Sequence, residues 1–465
     1  MIHKFTFHLN QTRLSLLHYS KFAMRFLYFI SIISIFSFIS PVYAGALPSE
    51  NGHKSLGNVT CGNSFCHEAK VPWKTSAIPQ NEFITWSSKD SHQKAYEALS
   101  SDKGKLIAKK LGLKKPAQQE SKCLDCHSNN VPLAQRTRTF NIEDGVSCES
   151  CHGGADQWLE THVSGAGDHK DNLLAGMFPT EEPVSRATLC MSCHIGNNKK
   201  FVTHRMIAAG HPRLVFELDT YTASEPAHYV VNDEYKKRKI TSSAIQTWAI
   251  GQAMSVKLLM DGITNASRFR KSAYPELSFF DCNSCHHKMS DKRWLPRKET
   301  QTGPGVPRLN TANLVMLQII AKHIEPNAGN RLKQEMLDLH QSTTKNNSQT
   351  EFAAKAISTT ATKLITTFSQ YSFSHHDLIA MLKALVDESS GNAYLDYVAA
   401  EQSTLALSTI LAGLHRTEGI NEADFKKLDK AMDPIYKSVA SDEQYQPNNF
   451  KSALIDFQTA TQDIK

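Results

Sequence analysis

The ten cysteines of this 465-residue chain fall into five pairs, and each second cysteine is followed directly by histidine. Four pairs have two residues between the thiols: Cys123-Leu-Asp-Cys126-His127, Cys148-Glu-Ser-Cys151-His152, Cys190-Met-Ser-Cys193-His194 and Cys282-Asn-Ser-Cys285-His286. The first is stretched to four, Cys61-Gly-Asn-Ser-Phe-Cys66-His67. No cysteine is left over. CxxCH is the spacing of c-type haem attachment: two thiols add to the porphyrin, and the adjacent imidazole takes one axial position on the iron. A disulfide framework leaves the histidines unexplained, and structural zinc sites pair separated CxxC units instead. The pattern predicts five covalent haems, with His67, His127, His152, His194 and His286 as proximal ligands. The expected fold is mainly α, with little regular sheet in the haem region and a haem-free helical domain after it.

Residues 1–44 carry four Lys or Arg and no acid. Met24-Arg25 precedes the apolar run FLYFISIISIFSFIS, which ends in Pro41-Val42-Tyr43-Ala44-Gly45. This reads as a secretory signal peptide cleaved after Ala44, with the residues upstream of Met24 an over-called start. The expected location is periplasmic or otherwise exported, with no membrane span after cleavage. The formal charge of +7 drops once this segment is removed, and ten haem propionates would reverse what remains. No basic stripe with interleaved aromatics occurs, so a nucleic-acid partner is not expected.

Residues 45–302 then form the expected pentahaem domain. Residues 81–110 have helical spacing, as do 242–260, which read as amphipathic. Gly303-Pro304-Gly305-Val306-Pro307 reads as a linker. Beyond it, residues 303–465 read as a helical domain, with helical segments near 309–325, 350–369, 374–387, 392–415, 423–438 and 448–462. Without cysteines, this domain is expected to scaffold, with self-association through its apolar faces an open outcome. Removing it near Pro304 is expected to leave all five haems.

The residue opposite each proximal histidine decides function, because a second histidine closes the iron and an exchangeable position opens it to substrate. His53, His92, His162, His169, His204, His211, His228 and His287 are the candidates outside the motifs. His204 and His211 stand seven apart, with Gly210 and Pro212 suggesting a break that aims His211 separately. For the fifth position the order is His287, His228, His53, His169.

The block from Cys61 to Leu214 resembles the multihaem cytochrome c family that contains the tetrahaem electron carrier of ammonia-oxidising bacteria. The likeness lies in the order of a CxxCH-type first site, Trp86 with His92-x-x-Ala95, the second motif, Gly145-Val-Ser-Cys-Glu-Ser-Cys-His-Gly-Gly and a following histidine, whereas the four-residue spacer of the first motif and the long haem-free tail depart from those relatives. His204 to Leu214 and Phe280 to His287 resemble its larger relatives, the hydroxylamine oxidoreductase and octahaem reductase superfamily. The resemblance implies that His92 caps the haem on His152, that His162 caps the haem on His67, and that the haem on His127 is open. No motif has the lysine of CxxCK that marks the catalytic haem of pentahaem nitrite reductases.

The expected function is electron transfer between redox partners, the donor quinol-linked or soluble, through bis-histidine haems. The alternative is a reductase or oxidase of a small nitrogen or sulfur compound, such as nitrite, hydroxylamine or tetrathionate, at one open iron. Arg136, Arg138, Arg205, Arg213, His169 and Tyr229 are the groups that could serve such a site.

Overall fold

The computed structural model describes residues 46–74, 76–270, 275–288, 290, 300–388 and 393–462. The expected signal peptide lies outside them. Sheet among the described residues is limited to two isolated bridges, Ser55 with Arg136 and Phe280 with Leu309.

Up to residue 242 the chain runs in short helices joined by loops. The helical spacing of 81–110 resolves into three pieces: α1 (Glu82–Lys89), α2 (Ala95–Ser100) and α3 (Asp102–Leu111). Two polar groups cause the breaks. Asp90 turns its carboxylate to the backbone N–H of His92 at 2.9 Å, and the Ser101 hydroxyl accepts from Gly104 N–H to start α3. The second and third motifs form α4 (Ser121–His127) and α5 (Cys148–His152), the latter opened by a Ser147/Ser150 capping box. There follow α6 (Leu159–Ser164), α7 (His169–Leu174) and α8 (Pro183–Met191). The chain past α8 takes a π-helical turn, Ser192–Gly196, that carries Cys193 and His194. Then come α9 (His204–Ala209) and α10 (Leu218–Ser224).

The apolar core belongs to the longer helices. These are α11 (Ala244–Thr264), α12 (Ala312–Ile324), α13 (Pro326–Ser342), α14 (Asn347–Gln370), α15 (His375–Asp387), α16 (Tyr397–Arg416), α17 (Glu422–Ser438) and α18 (Pro447–Thr461). The six helical segments expected after residue 303 are present. The sequence reading missed α13, whose polar residues hide its inward stripe of Leu332 and Leu339. Proline at its first position suits a helix start, where no backbone N–H is needed.

A boundary at 302/303 does not separate two cores. One apolar cluster runs from Val184 through α11 to Phe457, and residues 44–465 form a single compact unit. The expected amphipathic helix, α11, is buried on nearly every side, with Trp248, Ile250, Ala253 and Val256 at 0–1% exposure. It packs most extensively on α14, and also on α8, α10, α12 and α16, so it has no polar face to keep wet. Each large apolar side chain enclosed this way contributes about 1.5–3 kcal/mol. Ion pairs bind the same surfaces: Arg308 joins Asp281 to Asp396, and Arg213 reaches Glu401 at 3.0 Å while lying over the Tyr397 ring. No described helix is long and apolar enough to cross a membrane.

Candidate cofactor sites: five facing pairs of imidazoles

Each motif histidine faces a second histidine ring. His67 lies 6.0 Å from His162 between ring centres, His194 6.0 Å from His92, and His127 6.3 Å from His211. His286 lies 6.3 Å from His204, and His152 6.4 Å from His228. A metal–imidazole bond is about 2 Å long, and the ring centre lies about 1 Å beyond the donor nitrogen. Two imidazoles on opposite sides of one metal therefore have centres about 6 Å apart. All five separations fit that requirement.

Hydrogen bonds fix which nitrogen points inward. His67 Nδ1 is 2.8 Å from Glu82 Oε2, and His92 Nδ1 is 3.0 Å from Asp90 Oδ1. Those carboxylates hold both imidazoles above their ordinary pKa. His127 Nδ1 donates to the Ala95 carbonyl at 2.9 Å, and His211 Nδ1 to the Pro212 carbonyl at 2.7 Å. With Nδ1 committed to an acceptor, Nε2 is the nitrogen free for a metal. For His162, rotating the Asn172 amide by half a turn brings its otherwise unpaired Oδ1 to Nδ1, now 3.5 Å from the amide nitrogen. Burial depresses His162, His194 and His211, and takes His152 down to about 3, so all four are neutral imidazoles, the form that binds metal.

The loops that carry the facing histidines are held by backbone detail. Gly145 has φ 69°, and a Cβ there would lie 2.5 Å from the Gln93 carbonyl oxygen, so only glycine lets α5 approach the His92 loop this closely. Gly210, at φ 114°, ends α9 and sends His211 away from His204, which sits at the start of that helix. The two histidines accordingly serve different motifs. Glu149, inside the third motif, accepts from the backbone N–H of Leu56, Gly57 and Ala155 at 2.7, 2.8 and 2.9 Å. It ties the approach to the first motif onto the third.

Thiols of different motifs come near one another as well: Cys61 lies beside Cys148, and Cys126 beside Cys193, with every cysteine a free thiol. A cavity of about 900 Å³ opens at the fifth motif, with His204, His286, Cys282 and Cys285 at its wall. α12 supplies Asn313, α16 supplies Gln402 and the loop between α17 and α18 supplies Tyr445 to the same cavity.

Three sequence expectations differ from this arrangement. His92 faces His194, not His152: the Gln93–Gly145 contact holds the loop beside the third motif, while the Asp90 carboxylate on Nδ1 fixes the ring that faces the fourth. The ring opposite His152 is His228, in an irregular loop pinned by a Val230 N–H to Ala77 carbonyl bond of 3.1 Å. His127 does not face open space, since His211 stands across from it. His287, expected to serve a neighbouring site, is half-buried and bonds through Nδ1 to the Lys288 carbonyl, and it enters none of the described ring pairs. His53 and His169 are engaged with Asp156 and Glu181. Of the polar groups considered for an open iron, Arg213 is committed to Glu401, and Arg205 donates to the Leu111 carbonyl. Glu82 and Glu149 carried no sequence signal, because the partner of the first is 15 residues distant and those of the second are backbone groups; Asp90 stands two residues from His92, a spacing the sequence did show.

Residues 60–153 match the family model described as cytochrome c554 and c-prime. The match covers the first three motifs and places a haem-binding domain of that type over part of the chain. No curated protein and no solved structure matches the chain.

Proposed function

We propose that this chain is an exported pentahaem c-type cytochrome that carries electrons between redox partners, with every iron held by two histidines. The pairs are His67 with His162, His127 with His211, His152 with His228, His194 with His92, and His286 with His204. The observation that carries the reading is that all five motif histidines, and not four, face a second imidazole at 6.0–6.4 Å. When bound, each haem supplies a one-electron couple whose potential the protein sets through axial ligands, hydrogen bonds and burial.

The chain's own residues supply the rest. Ten cysteines would anchor the porphyrins, and the nearness of Cys61 to Cys148 and of Cys126 to Cys193 sets the first motif beside the third and the second beside the fourth. Glu82, Asp90, Ala95 and Pro212 fix imidazole orientation from behind. Phe216 stacks on His194 at 4.5 Å and Trp158 meets His162 edge-on at 5.7 Å, which covers one side of each half-buried ring. The C-terminal helices close the cavity between His204 and His286, so they are part of the fifth site as well as a scaffold. Turnover of nitrite, hydroxylamine or tetrathionate at an iron needs a position free of histidine, and His211 takes the one that the family resemblance left open.

Electron paramagnetic resonance of the oxidised holoprotein tests this reading. Five low-spin ferric signals unaltered by cyanide or nitrite are expected, with a denatured mass that exceeds the polypeptide by five haems. A high-spin signal converted by nitrite would overturn it.

A further inference from the structure

We infer that the exposed lysine face of α3 and the turn after it is a docking surface for an acidic redox protein, seated beside the His127/His211 pair. The inference rests on the electron-carrier reading above. Residues 102–122 hold seven lysines, from Lys103 to Lys122, against two acids, Asp102 and Glu120. All seven lysines are exposed. Among the described ion pairs they enter one, Lys105 with Asp102 at 3.7 Å. Lys105 and Lys109 stand four apart on one helix, as do Lys110 and Lys114 across its end, a like-charge spacing that costs stability. The fold gains nothing visible from this concentration of charge.

Its location gives it a use. The inner side of α3 packs on α9, with Ile107 against Gly210, and Arg205 of α9 donates to the Leu111 carbonyl at 2.8 Å. His211 follows directly on Gly210. The lysines flank the second motif from both sides: Lys103 lies within electrostatic range of His211, and Lys122 within range of Cys123. A negatively charged partner drawn to this face arrives at the imidazole pair with little intervening protein. An anionic membrane is the other source of negative charge. However, Ile107 is spent on α9, and Leu106 is the one large apolar side chain of α3 that is strongly exposed. An interfacial helix needs a whole apolar face.

The test uses holoprotein and an acidic flavodoxin as the probe, with binding measured by calorimetry at low and at raised salt. Two variants carry the same charge change: K103E/K109E/K110E/K114E on the α3 face, and K333E/K355E/K363E/K383E on exposed lysines of the C-terminal helices. Wild type is expected to bind, with affinity falling steeply as salt rises. The α3 variant should bind at least about tenfold more weakly, while the C-terminal variant stays within about twofold of wild type. Equal loss in both variants would show that net charge alone is read, and would overturn the inference. So would absence of wild-type binding, or binding to phosphatidylglycerol vesicles in place of flavodoxin. Paramagnetic resonance of the same samples reports on haem ligation separately, so failure of the carrier reading and failure of the docking face are distinguishable.

Discussion

Replacing Glu82 by Gln removes one negative charge from behind His67 and leaves a hydrogen-bond acceptor in its place. Glu82 Oε2 lies 2.8 Å from His67 Nδ1, and its other oxygen accepts from Gln80 N–H at 3.0 Å, so the carboxylate is fixed. Across the imidazole, the charge is about 6–7 Å from a metal on Nε2. At an effective dielectric of about 20 this interaction amounts to about 2.5 kcal/mol, which is about 100 mV for a one-electron couple. The anion favours the ferric state, so its removal raises the potential. Spectroelectrochemical titration should show one of five components rising by about 100 mV, with all five signals still low-spin. Asp90→Asn, behind His92 at 3.0 Å, should raise a different component. A Glu82→Gln protein in which no component rises by more than about 30 mV, or in which one falls, would refute the assignment of His67 as a charge-tuned ligand.

Removing the His211 ring with Ala should open the iron on His127 alone: one high-spin signal appears, cyanide converts it, and the other four signals stay as they were. Glu149→Ala strands three backbone N–H donors in a buried site. A loss of at least about 3 kcal/mol is expected, read as a lowered Tm or incomplete haem loading. In Asp377, burial pushes the carboxyl up, but Ser374, His323 and Tyr371 outweigh it and hold it below its ordinary pKa. Its stabilisation is therefore present above the unfolded-state pKa and is lost as pH falls through the lower folded value. Asp377→Ala, which removes the capping box of α15, should cost about 1 kcal/mol near neutral pH, and the difference from wild type should vanish in acid. Truncation after residue 302 should give insoluble chain or, where protein is recovered, four haems by intact mass, because α11 loses its packing partners and the fifth cavity loses a wall. A soluble five-haem fragment would show that the C-terminal helices are dispensable.

The five attachment motifs are legible in the chain because thioether attachment is a local requirement: two thiols and one imidazole within a few residues must meet one porphyrin, and spacing alone expresses that. Helices from α14 to α18 were legible for a similar reason, since apolar residues at helical intervals report a buried stripe. The absence of regular sheet among the described residues followed from the same patterns. The facing histidines obey no local rule. His92 is 102 residues from His194 and His228 is 76 residues from His152, and neither separation encodes a contact. The close pass of Gly145 over Gln93 positions the His92 loop and the Val230-to-Ala77 backbone bond positions the His228 loop, and each joins segments that meet only after folding. The same holds for the boundary expected at 302/303. Composition changes there because cysteine stops, yet α11 belongs by packing to the helices beyond it, and burial of a surface is a property of the whole fold.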